Sequence, residues 1–471
     1  SNLVRIENHQ FELPGISIES VPTREYLYGD AASHLVGYLG EINDQELAAH
    51  TDEGYQAGDL FGKRGIEMLF ENYLHGEKGY RYLEVDARGF EQKALERQDS
   101  LAGEDLVLTL DIDLQQAAEK ALADKAGAVV AMEVNTGRVL AMASAPAVPL
   151  ADFTGGISQQ AWDKLIKNPQ HPLLNKCIQG QYPPGSTYKI ITAMAGLMEG
   201  VITKDTVLYC TGSLRFGNRR FGCWKRSGHG AINLHRALAE SCDVYFYTVG
   251  QRVGVDRLAE YARSFGLGQK TGIELEHEKA GLVPTAAWKL QRFKVPWQEG
   301  ETLPVAIGQG FNLVTPLQAC RMIAATANGG ILYRPQYIER IVSSDGKVIR
   351  QFKPIIDGKV KAKPRYFELI RQGLVAAVND KHGTAGSAKL DNITVAGKTG
   401  TAQVVHLRSF AGQPEDKIPV KYRDHAWFVC FAPAEAPKIA VAVLVEHGGH
   451  GGSAAGPIAK SVLMRYFDQH D

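Results

Sequence analysis

Pro183-Pro184-Gly185 halts the chain directly before Ser186, and the run that follows places Ile190, Ile191, Met194, Leu197 and Met198 at helical spacing. Ser186 is therefore expected to open a helix, with Lys189 one turn along on the same face. A hydroxyl is a weak nucleophile at neutral pH. A neighbouring amine can act as its base only where burial and nearby cations keep that amine partly neutral. The start of a helix also favours the negative charge that develops during attack. These residue types at this spacing point to a serine that works through a covalent intermediate.

One Ser-x-x-Lys string proves little, and a second copy stands at Ser344 to Lys347, where Ser344-Asp345-Gly346-Lys347 reads as a turn. Two further strings give the first copy its context. Ser241-Cys242-Asp243 lies in an apolar stretch that reads as helical, whereas the other Ser-x-Asp, Ser343-Ser344-Asp345, belongs to that same turn. Lys398-Thr399-Gly400 follows the strand-like Ile393-Thr394-Val395-Ala396 and continues as Thr401-Ala402-Gln403, while its duplicate, Lys270-Thr271-Gly272, sits between glycine turns. Ser186-x-x-Lys189, Ser241-x-Asp243 and Lys398-Thr399-Gly400, in that order, form the signature of serine acyl-transferases that react with penicillin.

A second cluster is Cys210, Cys223, His229 and Cys242, four soft or borderline ligands in one short segment. Three thiolates and an imidazole suit a closed tetrahedral zinc site, which would pin the Ser241-x-Asp243 loop without touching substrate. A Cys210 to Cys223 disulfide across a hairpin, or plain buried thiols, would account for the same residues. Cys177, Cys320 and Cys430 lie in apolar surroundings and read as core. His447-Gly448-Gly449-His450-Gly451-Gly452 reads as a strand-to-helix loop at a cleft rim.

These groups must be held by a sizeable scaffold. At 471 residues the chain is long enough for two or three units. Lys plus Arg equals Asp plus Glu at 52 each, which argues against a nucleic-acid partner. The longest plain apolar stretch, Ile439 to Val445, falls far short of the roughly 20 residues that span a bilayer. The first hundred residues are polar and Gly-punctuated, with a strand at Tyr80 to Val85. Leu106 to Leu110 reads as a strand and Asp113 as the cap of a helix from Leu114 to Ala123, so the domain boundary is placed near residue 105. Ala128 to Val134 and Arg138 to Ser144, joined by Asn135-Thr136-Gly137, read as a hairpin. His425 to Phe431 and Lys438 to Val445 read as strands and Ala454 to Phe467 as a closing helix. The fold class is α+β, with a sheet gathered from both chain ends around a mostly helical middle, residues 155 to 330.

Beyond the three strings, Tyr182-Pro183-Pro184-Gly185-Ser186-Thr187-x-Lys189, Gly308-Gln309-Gly310 with Thr315-Pro316-Leu317-Gln318, and Lys398 through Gln403 resemble class B penicillin-binding proteins. Trp224-Lys225-x-x-Gly228-His229-Gly230 and Arg292-Phe293-Lys294-x-Pro296-Trp297 resemble the elongation-type group, penicillin-binding protein 2. The resemblance implies a transpeptidase domain at 106–471, with a five-stranded antiparallel sheet, helices and an all-helical lobe. It implies that 1–105 is the remaining part of an N-terminal pedestal, dimerisation-type domain. The resemblance also implies a single-pass anchor to the bacterial inner membrane upstream, with the chain on the periplasmic face, and a first residue of Ser1 rather than Met is compatible with a segment having been cut away.

The implied reaction is D,D-transpeptidation of peptidoglycan stem peptides ending in D-Ala-D-Ala, with covalent inhibition by β-lactams. Ser186 would be the nucleophile and Lys189 its base, with Ser241 relaying a proton and Asp243 orienting the cleft. Lys398 would add positive potential, Thr399 and Thr401 would bind the substrate carboxylate, and Gly400 would complete that strand. Backbone N–H groups of Ser186 and Thr401 would form the oxyanion hole. No cofactor is needed for this chemistry. The implied partners are a SEDS-type glycosyltransferase and the rod-complex scaffold. A D,D-carboxypeptidase or β-lactamase of the same fold, and a β-lactam sensor or scaffold protein, are the competing readings.

Overall fold

The computed structural model describes residues 4–6, 9, 12, 13, 23–87, 91–404 and 418–470. Its centre is a five-stranded antiparallel sheet of β1 (Gly127–Glu133), β2 (Val139–Ala145), β3 (Ala396–Ala402), β4 (His425–Ala432) and β5 (Ile439–Val445), in the order β3-β4-β5-β1-β2. Both ends of the chain feed it, as the apolar runs at 128–134 and 438–445 require. Helices α1 (Ile112–Leu122), α2 (Lys189–Met198), α3 (Leu234–Ala239), α4 (Asp243–Val253), α5 (Pro316–Ala327) and α6 (Gly451–His470) pack around it.

Every residue of β5 is buried, because the strand is covered on both faces. Val441 and Val443 face the layer formed by α1 and α6, while Ala440, Ala442 and Leu444 face α5 and the helical lobe. A strand sandwiched in this way reads as an unbroken apolar run rather than an alternation. α5 is itself buried along its whole length. Its start is fixed by a reciprocal cap, Gln318 N–H to Thr315 Oγ1 at 3.2 Å and Thr315 N–H to Gln318 Oε1 at 2.9 Å, with Pro316 in the first turn.

The cap of α1 differs from the sequence expectation. Asp111, not Asp113, accepts the Leu114 N–H at 2.9 Å, and Asp113 instead pairs with Arg465 on α6 at 2.7 Å. Two aspartates two residues apart both satisfy capping chemistry, and the strand-to-helix geometry selects the earlier one. The middle of the chain is mostly helical, yet it also carries short antiparallel strands at Leu208–Cys210 with Gly230–Ile232 and at Ser213–Phe216 with Arg219–Gly222.

In the N-terminal part, Tyr80–Val85 pairs with Glu91–Gln98 as a two-stranded ribbon, exposed along the whole of its first strand. Asp105–Leu108 then pairs with Ile338–Val342, tying the chain to a sheet built from the later part of the sequence. Among the described residues, no helix is long and apolar enough to cross a membrane.

Candidate active site

Ser186 does not open an α-helix directly. Gly185–Tyr188 form a single 3-10 turn and α2 starts at Lys189. Gly185 makes this entry through a left-handed φ of 54°, which a side chain would strain. Its N–H donates to Gly308 O at 2.9 Å, and a Cβ placed on it would lie 2.5 Å from Thr401 O and 3.0 Å from Thr401 N. The nucleophile's turn therefore rests on the backbone of β3. Trp427 on β4 pins the other side, its indole N–H donating to Pro183 O at 3.0 Å. Ser186 is half-buried, open enough to meet a substrate.

Lys189, Ser241, Asp243 and Lys398 come together as one buried cluster. Lys189 Nζ donates to Asp243 Oδ1 at 2.7 Å, Ser241 O at 2.9 Å and Ser241 Oγ at 3.1 Å. Lys398 Nζ donates to the same hydroxyl at 2.9 Å and to Thr399 O at 3.2 Å. Both lysines are 0% exposed. Since Ser241 Oγ accepts from two amines, its own proton is left available for a third partner. Burial, reinforced by the neighbouring Lys189 charge, pushes Lys398 well below the usual lysine range.

The Ser241-x-Asp243 string is not interior to a helix. It is the joint between α3 and α4, with Ser241 in a left-handed conformation at φ 55° and Asp243 as the first residue of α4. The joint turns the hydroxyl toward both lysines, and the helix start stabilises the carboxylate. Asp243 Oδ2 accepts the Trp224 N–H at 2.9 Å, so the carboxylate links α4, Lys189 and the segment before His229.

On β3, Thr399 Oγ1 lies 2.9 Å from Thr384 Oγ1. A Cβ on Gly400 would come within 2.9 Å of Pro184 O, so this position admits only glycine without displacing the nucleophile's approach. Thr401 O accepts from Gln309 Nε2 at 2.9 Å. Gln309, which the Gly308-Gln309-Gly310 string marks without assigning it a role, and Thr384, which no string marks, both brace the strand through long-range contacts. The duplicate strings stay apart from the cleft: Ser344 to Lys347 is an exposed turn closed by Ser343 N–H to Lys347 O at 2.8 Å, and Thr271 is buried against Glu278.

The four ligand-type residues also converge. The ligand atoms of Cys210, Cys223, His229 and Cys242 lie within 4.8 Å of one another, and all four residues are buried. His229 Nδ1 stands 3.5 Å from Cys210 Sγ and 3.6 Å from Cys223 Sγ. The Cys242 thiol hydrogen-bonds Cys223, which pulls Cys223 below the usual thiol range and pushes Cys242 above it. All six cysteines are free thiols in this structure. Cys177, Cys320 and Cys430 are buried in the core.

Residues 127–464 match the family model described as the penicillin binding protein transpeptidase domain, and residues 1–108 match the penicillin-binding protein dimerisation domain. The chain is 38% identical to the peptidoglycan D,D-transpeptidase MrdA of Escherichia coli K12, over 98% of this chain and 74% of that protein. It superposes on penicillin-binding protein 2 of Helicobacter pylori, solved in complex with MreC, with a TM-score of 0.87 at 34% identity, covering 99% of this chain and 83% of that one. Penicillin-binding protein 2 of Pseudomonas aeruginosa, solved in complex with WCK 5153, gives a TM-score of 0.80 at 36% identity, covering 96% and 91%.

Proposed function

The chain belongs to the penicillin-binding protein transpeptidase family, and from that premise we propose that it is the peptidoglycan D,D-transpeptidase of cell elongation, acting through an acyl-enzyme on Ser186. The observation that carries this reading is the shared hydroxyl of Ser241, held by Lys189 and Lys398 beside the turn that presents Ser186.

The Ser186 oxygen attacks the carbonyl between the two terminal D-alanines. Its proton enters the network of Lys189, Ser241 and Lys398, and the same network returns a proton to the departing D-alanine amine. The Ser186 and Thr401 N–H groups face the developing oxyanion, where one good donor contributes about 3–4 kcal/mol to the transition state. Thr399 and Thr401 receive the terminal carboxylate, with Lys398 supplying positive potential. An amine of a neighbouring stem peptide then attacks the ester, forming the cross-link and releasing the serine hydroxyl.

We assign residues 1–105 to the pedestal and 106–471 to the transpeptidase domain, supported by the pairing of Asp105–Leu108 with Ile338–Val342. The substrate lies outside the cytoplasmic membrane, so we place the enzyme at the periplasmic face of the inner membrane. The Helicobacter relative's complex with MreC supports a scaffold partner of that kind, and a SEDS-type glycosyltransferase would supply the polymer.

We read Cys210, Cys223, His229 and Cys242 as a structural zinc site. Zinc bound to sulfur and imidazole at ordinary lengths sets those atoms about 3.6 Å apart, which matches the observed His229 to cysteine separations of 3.5 and 3.6 Å. Three thiolates and an imidazole are the ligand types of a closed structural site, so the ion would clamp the loop carrying Ser241 and Asp243 and take no part in the reaction.

Intact-protein mass spectrometry after benzylpenicillin, with and without a chelator, tests both readings. The expected result is one adduct on Ser186 that persists for many minutes and is absent from Ser186→Ala. Rapid release of the adduct would instead make the chain a β-lactamase. Native spectra should carry one zinc that the chelator removes.

A further inference from the structure

The chain has equal numbers of acidic and basic residues, yet between Asp205 and Glu240 it carries no acid at all. Within that span Arg215, Arg219, Arg220, Lys225 and Arg226 form a basic segment, mostly exposed. Its two ends are neutralised, Lys204 by Asp205 and Arg236 by Glu240. Among the described residues, none of the five cations between them takes part in an ion pair.

The pairing register makes this costly. In the ribbon of Ser213–Phe216 with Arg219–Gly222, Arg215 stands directly opposite Arg220. Alternation turns Leu214 and Phe221 to the other face, where Phe221 packs edge-on against Tyr247 of α4 at 5.9 Å. Like charges facing each other across a ladder destabilise it, and among the described residues no acid pairs with either arginine. An unrelieved pair of guanidinium groups on a fixed scaffold is preorganised for carboxylates.

The ribbon is also joined to the catalytic loop. Cys223 follows it into the ligand cluster that holds Cys242, Tyr247 Oη donates to Gly222 O at 3.1 Å, and the Trp224 N–H donates to Asp243 Oδ2 at 2.9 Å. Trp224 leaves this junction 59% exposed, its indole N–H donating to Glu240 O at 3.0 Å. The basic surface thus begins at the residue whose N–H holds the Asp243 carboxylate, the ion-pair partner of Lys189.

We propose that this ribbon and the Trp224 to Arg226 segment bind the carboxylates of the second stem peptide, the one whose amine resolves the acyl-enzyme. The inference rests on the transpeptidase reading, which requires an acceptor as well as a donor. The donor is assigned to β3 and the Ser241 hydroxyl, and the ribbon joins the same catalytic loop through the other carboxylate oxygen of Asp243, which leaves it to the acceptor. Its carboxylates complement the unpaired arginines, and the Trp224 ring offers a flat apolar face to its backbone.

The test compares Arg215→Gln/Arg220→Gln with the parent chain. The probe is a tripeptide acceptor with a free side-chain amine and free carboxylates, set against the same peptide with its carboxylates amidated. Calorimetric binding to each chain, both also carrying Ser186→Ala, should show the acidic probe weakened about tenfold by the arginine changes, as expected for the loss of two solvent-exposed ion pairs. The amidated probe should bind both chains alike. With Ser186 intact, benzylpenicillin acylation should stay within about twofold of the parent rate, and the partition of a thioester-derived acyl-enzyme toward the acidic acceptor should fall by a similar tenfold factor. Equal binding of the acidic probe to both chains overturns the proposal, as does an equal loss for the amidated one. Failure of the parent chain to be acylated would instead overturn the transpeptidase reading, while the binding comparison still decides the acceptor site.

Discussion

Lys189 and Lys398 are fully buried and hydrogen-bonded, whereas Arg215 and Arg220, which lie between them in the sequence, face each other across an exposed ribbon with no acid paired to either among the described residues. The first pair is satisfied from within the protein: a carboxylate, a hydroxyl and two carbonyls surround the two amines. The second pair is left to be satisfied from outside. Buried cations that serve chemistry must have their protonation set by fixed neighbours, while cations that serve recognition keep their charge free for the ligand.

Within the buried pair the two lysines should respond differently to the same change. Lys189→Met and Lys398→Met should each cut β-lactam acylation by about 10²–10⁴-fold, measured as the second-order rate of labelling. Their stabilities should part. Removing Lys189 leaves the Asp243 carboxylate without its partner and should cost about 3–5 kcal/mol in a denaturant titration. Removing Lys398 deletes a buried cation that has no direct carboxylate contact, so the fold should hold or gain stability. If both variants lost the same stability, the two lysines would share Asp243 equally.

A weaker effect should follow chelation of the zinc proposed for the cysteine cluster. Chelation should lower the melting temperature by at least about 5 °C, and Cys210→Ser should melt early with or without chelator. Weaker again is the pH dependence carried by Lys398. Its value is depressed on folding, so the unfolded chain holds a proton that the folded chain releases. Stability from this group therefore rises with pH from the depressed value up to the ordinary 10.5, and that rise should flatten in Lys398→Met. The smallest change belongs to the exposed pair: Arg215→Gln/Arg220→Gln should raise the melting temperature by about 1–2 °C through relief of like-charge contact. A fall instead would mean the arginines already have a partner within the protein.

Much of this was legible in the residues. The Ser186 to Lys189 spacing, the hairpin at Asn135-Thr136-Gly137 and the apolar runs at both chain ends are local signals, and the structure builds the nucleophile's turn, β1 with β2, and β4 with β5 from them. The less legible features depend on contacts across the sequence. Ser241 reads as helical because its neighbours are apolar, but those neighbours are apolar for packing, and the residue itself turns the chain at φ 55°. Thr384 looks like an ordinary polar residue until β3 is laid beside it, and the Gly308-Gln309-Gly310 string marks Gln309 without saying that it holds Thr401 O. The duplicate strings show the same limit from the other side, since Ser344 and Thr271 carry matching neighbours but sit in an exposed turn and a buried one.

The contact of Gly185 with Thr401 and Gly308 has a practical outcome. Stretches far apart in the chain meet there backbone against backbone, with no room for even a methyl group. Reactivity is thus born only with complete condensation of the chain, and a partly folded or clipped molecule would carry an inert alcohol at position 186. A fluorescent penicillin would accordingly count native molecules in a preparation, and the gap between that count and total protein would measure the misfolded fraction.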